Sequence, residues 1–289
     1  MKFSELLEIW KGTDLEFSEI ILAQEMIETG RDPEKVKLNL KRLMLVMLEE
    51  AEKNFGKKFS TLTGMTGENG YKFANYKPMM VSEFNHVATS VALSMGESNA
   101  SMGRIVACPT AGSCGVVPGV LYALKKVENA PEEKLLKAFI VGSGIGNVVA
   151  KKATLSGAAG GCQAEIGTAT AMASAMLTYY FSQNPEFVGH AAALSFKSLM
   201  GLVCDPVGGF VEVPCVKRNG SAVNVAIICS EMALSGIESV IPFDEVVEAM
   251  YNVGKSLPES LRETGLGGIA ASKTAESIVE NIKKNWEVK

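Results

Sequence analysis

The sequence has few histidines, and its cysteines are not arranged in pairs. It contains two histidines and six cysteines in 289 residues, and no two cysteines form a Cys-X-X-Cys motif. Structural zinc sites usually combine such a motif with further Cys or His ligands, so a zinc site has little support. Disulfides are not expected either, because the chain lacks a secretory signal and disulfides are rare in the cytosol. The cysteines are therefore candidates for metal ligands, nucleophiles or buried apolar side chains.

Aromatic residues and excess positive charge are also scarce. Aromatics make up 7% of the chain and the formal net charge is −4. Neither a base-stacking surface nor an electrostatic nucleic-acid site is therefore indicated. No apolar run reaches the ~18 residues that a membrane-spanning helix needs. Acidic residues interrupt the apolar pattern of the N-terminal segment, unlike a secretory signal. The sequence predicts a cytoplasmic protein that binds neither nucleic acid nor membrane.

Strict alternation of apolar and polar residues, the pattern of half-buried strands, is rare in this chain. Apolar residues instead recur at helical spacing, and Gly, Ala, Ser and Thr are dense between 88 and 209. We predict a mainly α-helical single domain over residues 1–289, with Gly-rich loops that carry the chemistry at its centre. Residues 1–58 are helical and could form a subdomain, and 61–76 is predicted to be a loop. Further helices are predicted near 117–127, 131–152, 164–182, 187–200, 222–236, 243–254 and 272–285.

Three cysteines stand beside glycine or proline, in segments where a turning backbone can present a side chain. Cys162 occurs in Gly-Gly-Cys-Gln-Ala-Glu, Cys204 in Cys-Asp-Pro-Val-Gly and Cys215 in Pro-Cys-Val-Lys-Arg-Asn. Three thiolates can hold an iron–sulfur cluster and leave one iron open to a substrate, which would make the cluster a Lewis acid. By spacing alone, Cys108 and Cys114 are equally eligible as ligands, or they are buried small apolar residues.

Polar residues near these cysteines are candidates for substrate contacts. Thr110 and Ser113 lie in a small-residue segment before an apolar helix, where free amides and hydroxyls would suit a carboxylate. A tight structural turn is the alternative. Ser156, in the run of small residues before Cys162, is a further candidate. Glu165 lies one helical turn beyond Cys162 and could hold a substrate ammonium, with a surface or paired glutamate as the alternative.

Basic residues offer few candidates for catalysis. His86 lies on a polar stripe of a predicted helix and titrates in a useful range, but a hydrogen-bonded structural histidine is the commoner outcome. Lys217 and Arg218 place positive charge just beyond Cys215. That charge would suit an anionic cluster or a carboxylate, and a solvated basic face is the alternative.

Four long motifs stand out in the sequence. They are Cys-Pro-Thr-Ala-Gly-Ser-Cys-Gly-Val-Val-Pro-Gly at 108–119, Ser-Gly-Ala-Ala-Gly-Gly-Cys-Gln-Ala-Glu-Ile-Gly at 156–167, Gly-Leu-Val-Cys-Asp-Pro-Val-Gly-Gly-Phe-Val-Glu-Val-Pro-Cys-Val-Lys-Arg-Asn at 201–219 and Leu-Arg-Glu-Thr-Gly-Leu-Gly-Gly at 261–268. Together they resemble the iron–sulfur-dependent L-serine dehydratases, in particular the α chain of the two-subunit form. The resemblance extends over nearly the whole chain.

The resemblance implies a [4Fe–4S] cluster held by Cys162, Cys204 and Cys215, with Cys108 and Cys114 outside the ligand set. It implies conversion of L-serine to pyruvate and ammonia by a mainly helical catalytic domain, without pyridoxal phosphate. It also implies a hetero-oligomer with a β subunit of regulatory-type fold, which supplies further catalytic residues including a histidine. Two other functions stay open: a related cluster-dependent lyase such as an L-cysteine desulfidase, and a non-catalytic cluster-bearing redox sensor.

The chain departs from the family pattern at two places. Members of the family usually read Asn-Ala-Ser-Ile-Ser-Gly before the first cysteine segment, whereas this chain has Lys152 in place of the asparagine. They also tend to have Gly-Asp where Glu68 and Asn69 stand here. A lysine near the cluster changes charge and hydrogen bonding, so Lys152 is a candidate for a catalytic role. These departures leave the substrate, rather than the cluster, open to question.

Overall fold

The fold is built from α-helices. A computed structural model describes residues 2–287, and in this range thirteen α-helices are joined by turns and short 3₁₀ segments, with no β-strand. The helices are α1 (Phe3–Lys11), α2 (Phe17–Thr29), α3 (Pro33–Asn54), α4 (Asn69–Ala74), α5 (Glu83–Ala100), α6 (Val116–Lys126), α7 (Glu132–Lys152), α8 (Gly157–Gly160), α9 (Thr168–Ser182), α10 (Pro185–Leu199), α11 (Cys215–Leu234), α12 (Phe243–Ser256) and α13 (Lys273–Glu287). The prediction of a mainly α-helical protein is confirmed. Within the described range, no helix has both the length and the hydropathy needed to cross a membrane.

Helix starts follow local capping signals in the sequence. The Asp32 side chain accepts a hydrogen bond from the Glu34 N–H at the start of α3, and Pro33 occupies the first helical position. Asn184 and Pro185 play the same two roles at the start of α10. Such residues satisfy N–H groups that have no partner within the helix, and a fixed proline φ suits the first turn.

Two helices differ from the sequence-based expectation. The short helix α4 lies inside the predicted 61–76 loop. Helix α11 was predicted to begin near 222, but it begins at Cys215. The first turns of α11 show no clear apolar periodicity because they bury a polar, hydrogen-bonded residue, Asn219, together with apolar ones such as Val216.

Helix α9 lies at the centre of the protein. Every residue from Thr168 to Tyr180 is buried, and the helix packs against α7, α10 and α11. Small residues permit this close packing: a Cβ added at Gly142 on α7 would lie 2.9 Å from the Met172 carbonyl oxygen. Residues 162–167 join α9 through a π-helical turn, so Cys162 belongs to the same continuous helical run.

The N-terminal helices share the core of the rest of the chain. The Phe3 ring on α1 meets Phe17 at 5.8 Å and Phe243 at 5.7 Å between ring centroids. The Asp244 carboxylate accepts hydrogen bonds from the Phe3 and Ser4 N–H groups at 2.9 Å each. These contacts tie α1 to α12, and the independent folding of residues 1–58 stays a prediction.

A buried carboxylate fixes the segment that precedes α4. Glu97 on α5 is fully buried and accepts hydrogen bonds from the Gly67 N–H at 2.7 Å and the Gly70 N–H at 3.1 Å. It also accepts from both the backbone and the side-chain nitrogen of Asn69, at 2.8 and 2.7 Å. A single side chain thereby satisfies the N–H groups that begin a helix too short to be stable alone.

We expect Glu97→Gln to lower the free energy of unfolding by about 2 kcal/mol, because the amide –NH₂ would face N–H donors that need an acceptor. Chemical denaturation of the two proteins measures the difference. Glu52→Gln on α3 is the matched control, since Glu52 is exposed. Equal unfolding midpoints for the two variants would contradict the assigned role of Glu97.

Candidate active site

The three cysteines predicted as ligands are buried and free, and they lie on different elements. Cys215 is the first residue of α11, and Cys162 begins the helical run that leads into α9. Cys204 lies in the irregular segment between α10 and α11. Its N–H donates to the Leu261 carbonyl at 2.9 Å, and its carbonyl accepts from the Glu263 N–H at 2.7 Å. Gly-rich loops were expected to carry all three cysteines, but two of them stand at helix starts.

The thiols of Cys162, Cys204 and Cys215 form one electrostatic group. Burial raises the pKa of Cys162 to about 11 and that of Cys215 to about 12. The pKa of Cys204 is also raised, mainly by burial and then by the charges of Cys162, Glu165, Glu263 and Cys215. Cys108 and Cys114 are a separate pair: burial raises both pKa values to about 12, and Cys114 adds to the rise at Cys108. The assignment of Cys162, Cys204 and Cys215, rather than Cys108 and Cys114, as the cluster ligands stays a prediction.

The chemistry of the donor set suits an iron–sulfur cluster. Thiolates are the usual donors to such clusters, and the ligands of one cluster bind different iron atoms. Gly157 packs tightly against the group, since a Cβ there would lie only 2.9 Å from the Sγ of Cys204. Three buried thiols that interact with one another are compatible with an iron–sulfur cluster.

Glu165 lies beside this cysteine group. A Cβ at Gly157 would also lie 3.2 Å from its carboxyl carbon, and one at Gly112 would lie 3.1 Å from its Oε2. Burial and then the negative charge of Glu263 raise the pKa of Glu165, whereas hydrogen bonds from the Gly157 N–H and the Thr110 hydroxyl lower it. Two glycines that pack closely on it and the Thr110 hydroxyl therefore surround a carboxylate next to Cys204.

The three hydroxyl residues predicted to contact the substrate differ in their surroundings. Thr110 contacts Glu165 directly. Ser113 is fully buried and its hydroxyl lies 3.3 Å from the Cys108 carbonyl and 3.2 Å from the Thr110 hydroxyl, as a tight turn requires. Ser156 is exposed and precedes α8.

The two predicted basic candidates differ in their surroundings. The Nε2 of His86 lies 2.8 Å from the Phe73 carbonyl oxygen, and its ring packs on the Phe73 ring at 5.3 Å between centroids. This contact links α5 to α4, and it is the structural role that the sequence offered as the alternative. Lys152 is the half-buried last residue of α7.

Two residues shortly after Cys215 organise the site: the sequence analysis named Arg218 only as part of an adjacent basic pair, and it missed Asn219. Arg218 donates to the Val203 carbonyl and to an Asp205 carboxylate oxygen, each at 2.8 Å, and its charge acts on the thiol of Cys162. The Asn219 side chain donates to the Gly112 carbonyl at 2.8 Å, and its oxygen accepts from the Gly115 N–H at 2.9 Å. Asn219 thus joins the first motif to the third. The sequence signal that could have identified both residues is their position at the end of the third motif, shortly after Cys215.

A comparison with known families decides the affiliation of the chain. The family model for the serine dehydratase alpha chain matches residues 12–270. The chain belongs to this family. It is 41% identical to the probable L-serine dehydratase alpha chain of Bacillus subtilis over 96% of this chain and 93% of that one. It is 39% identical to the L-serine dehydratase alpha chain of Peptoniphilus asaccharolyticus over 98% of each. It is also 32% identical to an L-serine dehydratase of Streptomyces coelicolor, over 93% of this chain and 60% of that protein.

One departure from the usual serine dehydratase alpha chain pattern has a structural explanation. Glu68 pairs with Lys58 at 3.1 Å and with Lys72 at 3.3 Å, and these cations lower its pKa. Asn69 donates two hydrogen bonds to Glu97. Both residues therefore serve to fix the segment around α4.

Proposed function

We propose that this protein is the α chain of an L-serine dehydratase, which converts L-serine to pyruvate and ammonia. The observation that carries the proposal is the buried group of Cys162, Cys204 and Cys215 beside Glu165, in a chain that matches L-serine dehydratase alpha chains along nearly their whole length. In the net reaction the substrate loses its α-hydrogen and β-hydroxyl as water. The resulting enamine tautomerises to an imine, which water hydrolyses to pyruvate and ammonia.

Hydroxide is a poor leaving group, so the reaction needs an electrophile at the β-oxygen. Cys162, Cys204 and Cys215 would hold a [4Fe–4S] cluster, which supplies an open iron as a Lewis acid when it is bound. Pyridoxal phosphate is not needed for this chemistry. All six cysteines are free thiols, which suits the reducing cytoplasm in which we propose that the protein acts.

Glu165 is the residue of this chain best placed to bind the substrate ammonium. Its carboxylate packs against Gly112 and Gly157, beside Cys204. Charge pairs in such a partly buried setting are stronger than in water. The Thr110 hydroxyl holds the carboxylate in place. We propose that Thr110, Ser113 and Ser156 bind the carboxylate of the substrate, since all three lie on the segments that surround Glu165.

The base that removes the α-hydrogen is proposed to come from a β subunit. His86 is engaged with the Phe73 carbonyl, so it is a poor candidate. The L-serine dehydratase of Streptomyces coelicolor is matched over 60% of its length, and a partner chain would supply what lies outside that match. The functional protein would then be a hetero-oligomer, and the isolated α chain would have little activity.

An anaerobic assay of the α chain with its β subunit tests the proposal. We expect pyruvate from L-serine, and slower turnover of L-threonine and L-cysteine. Faster release of sulfide from L-cysteine would favour the alternative function, a cluster-dependent L-cysteine desulfidase. Lys152→Asn, which restores the usual family residue, would show whether Lys152 sets that preference. A complex that binds iron and turns over none of the three amino acids would favour a redox sensor, and one that binds no iron would refute the cluster.

A further inference from the structure

The side chain of Arg218 contacts all three cysteine segments. It belongs to α11, one turn after Cys215. Its Nη1 donates to the Val203 carbonyl, and its Nη2 donates to Asp205, the two residues that flank Cys204. The positive charge of the same guanidinium also acts on the thiol of Cys162. One side chain therefore bridges the segments of Cys162, Cys204 and Cys215.

The Arg218–Asp205 pair is itself anchored. The two side chains are 18% and 3% exposed and form an ion pair at 2.8 Å. The other Asp205 oxygen accepts from the Ile269 N–H at 2.8 Å, which joins the segment after α12 to the site. A planar guanidinium can make several directed hydrogen bonds at once, whereas an ammonium is a point charge with no fixed geometry. These contacts therefore require arginine in particular.

We propose that Arg218, locked by Asp205, is the positioning residue that keeps Cys162, Cys204 and Cys215 in the arrangement that receives the cluster. The inference rests on the proposed iron–sulfur function. Arg218 acts through the cysteines and is not assigned a contact with the substrate. Its permanent positive charge, held close to Cys162, also offsets the negative charge that thiolate ligands bring into a buried site.

The test compares Arg218→Met, Arg218→Lys and the wild-type full chain after anaerobic reconstitution with ferrous iron and sulfide. Two quantities are measured: iron and sulfide bound per chain, and the half-time of iron loss to a chelator, followed by the visible absorption of the cluster. We expect iron loss roughly 10- to 100-fold faster in Arg218→Met, the range found for residues that orient metal ligands. Arg218→Lys keeps the positive charge but loses the planar guanidinium and its directed hydrogen bonds. Its half-time of iron loss should therefore lie between those of the wild type and Arg218→Met.

Two controls separate positioning from general stability. Met44→Ala removes a fully buried side chain on α3, so it lowers the Tm without touching the cysteine segments. Lys217→Met removes the neighbouring exposed charge. Both should lose iron at the wild-type rate. Asp205→Asn should also speed iron loss, and it should add little in the Arg218→Met background, because Asp205 acts through Arg218.

The outcomes distinguish the inference from the function on which it rests. Failure of the wild-type chain to bind iron would refute the proposed cluster. Wild-type binding together with unchanged iron retention in Arg218→Met would refute the positioning role alone. Equally fast iron loss in Arg218→Met and a Met44→Ala variant of similar Tm would assign the effect to stability and likewise overturn the inference.

Discussion

Replacement of Cys204 by serine is expected to reduce L-serine turnover by the proposed complex with a β subunit roughly 1000-fold, equivalent to about 4 kcal/mol of transition-state stabilisation. The thiol of Cys204 interacts with those of Cys162 and Cys215. A serine hydroxyl is a poor donor to a cluster, whose usual ligands are thiolates. Iron bound per chain after anaerobic reconstitution should fall together with the activity, and pyruvate formation from L-serine measures the loss. We expect the same result for Cys162→Ser and Cys215→Ser.

Cysteines outside this group provide the matched controls. Cys229→Ala and Cys108→Ala also remove buried thiols, but Cys229 lies far along α11, near Ser198, and Cys108 is paired with Cys114. Both variants should keep their iron and most of their activity. Retention of iron by Cys204→Ser, or its loss from Cys108→Ala, would show that the ligand set is wrong.

The second large effect is expected for Glu165→Gln. Removal of the charge should lower kcat/KM for L-serine roughly 100-fold, equivalent to about 3 kcal/mol, because a buried substrate ammonium would lose its counter-charge. Gln has nearly the same shape and still accepts a hydrogen bond from Thr110. Iron content should therefore stay at the wild-type level, which separates substrate binding from cluster binding.

Glu263→Gln is the control for this change. Glu263 is exposed, and its charge acts on Glu165. If Glu165 binds the ammonium, the Glu263 variant should change kcat/KM only slightly. A large loss in Glu263→Gln with little change in Glu165→Gln would reverse the assignment of the two carboxylates.

Apolar periodicity predicted most of the helices, and it was weakest where polar residues are buried. Helices α7 and α12 bury apolar side chains at helical spacing, and their predicted limits lie within a residue or two of the observed ones. The start of α11 buries Asn219 and holds Arg218 among polar groups. No periodicity marks such a turn, because its stability comes from hydrogen bonds to segments distant in sequence.

The pair Lys217–Arg218 shows the same limit within the site. Adjacent residues on a helix point about 100° apart, so the two side chains meet different surroundings. Lys217 is exposed, as a solvated basic face predicts, whereas Arg218 turns inward to Asp205. The sequence marked the cysteines through their motifs. It could not show which charged neighbour reaches them, since that depends on where the Cys204 segment lies.

Because helix α9 is buried, the volumes of its side chains affect the distance between Cys162 and Cys215. The helical run that begins at Cys162 continues through it, and it packs against α11, whose first residue is Cys215. Because no residue from Thr168 to Tyr180 reaches the surface, an added methylene cannot be accommodated by turning outward. The added methylene must instead displace a neighbouring helix. We therefore expect the small size of the buried α9 alanines, several turns from Cys162, to influence the distance between Cys162 and Cys215.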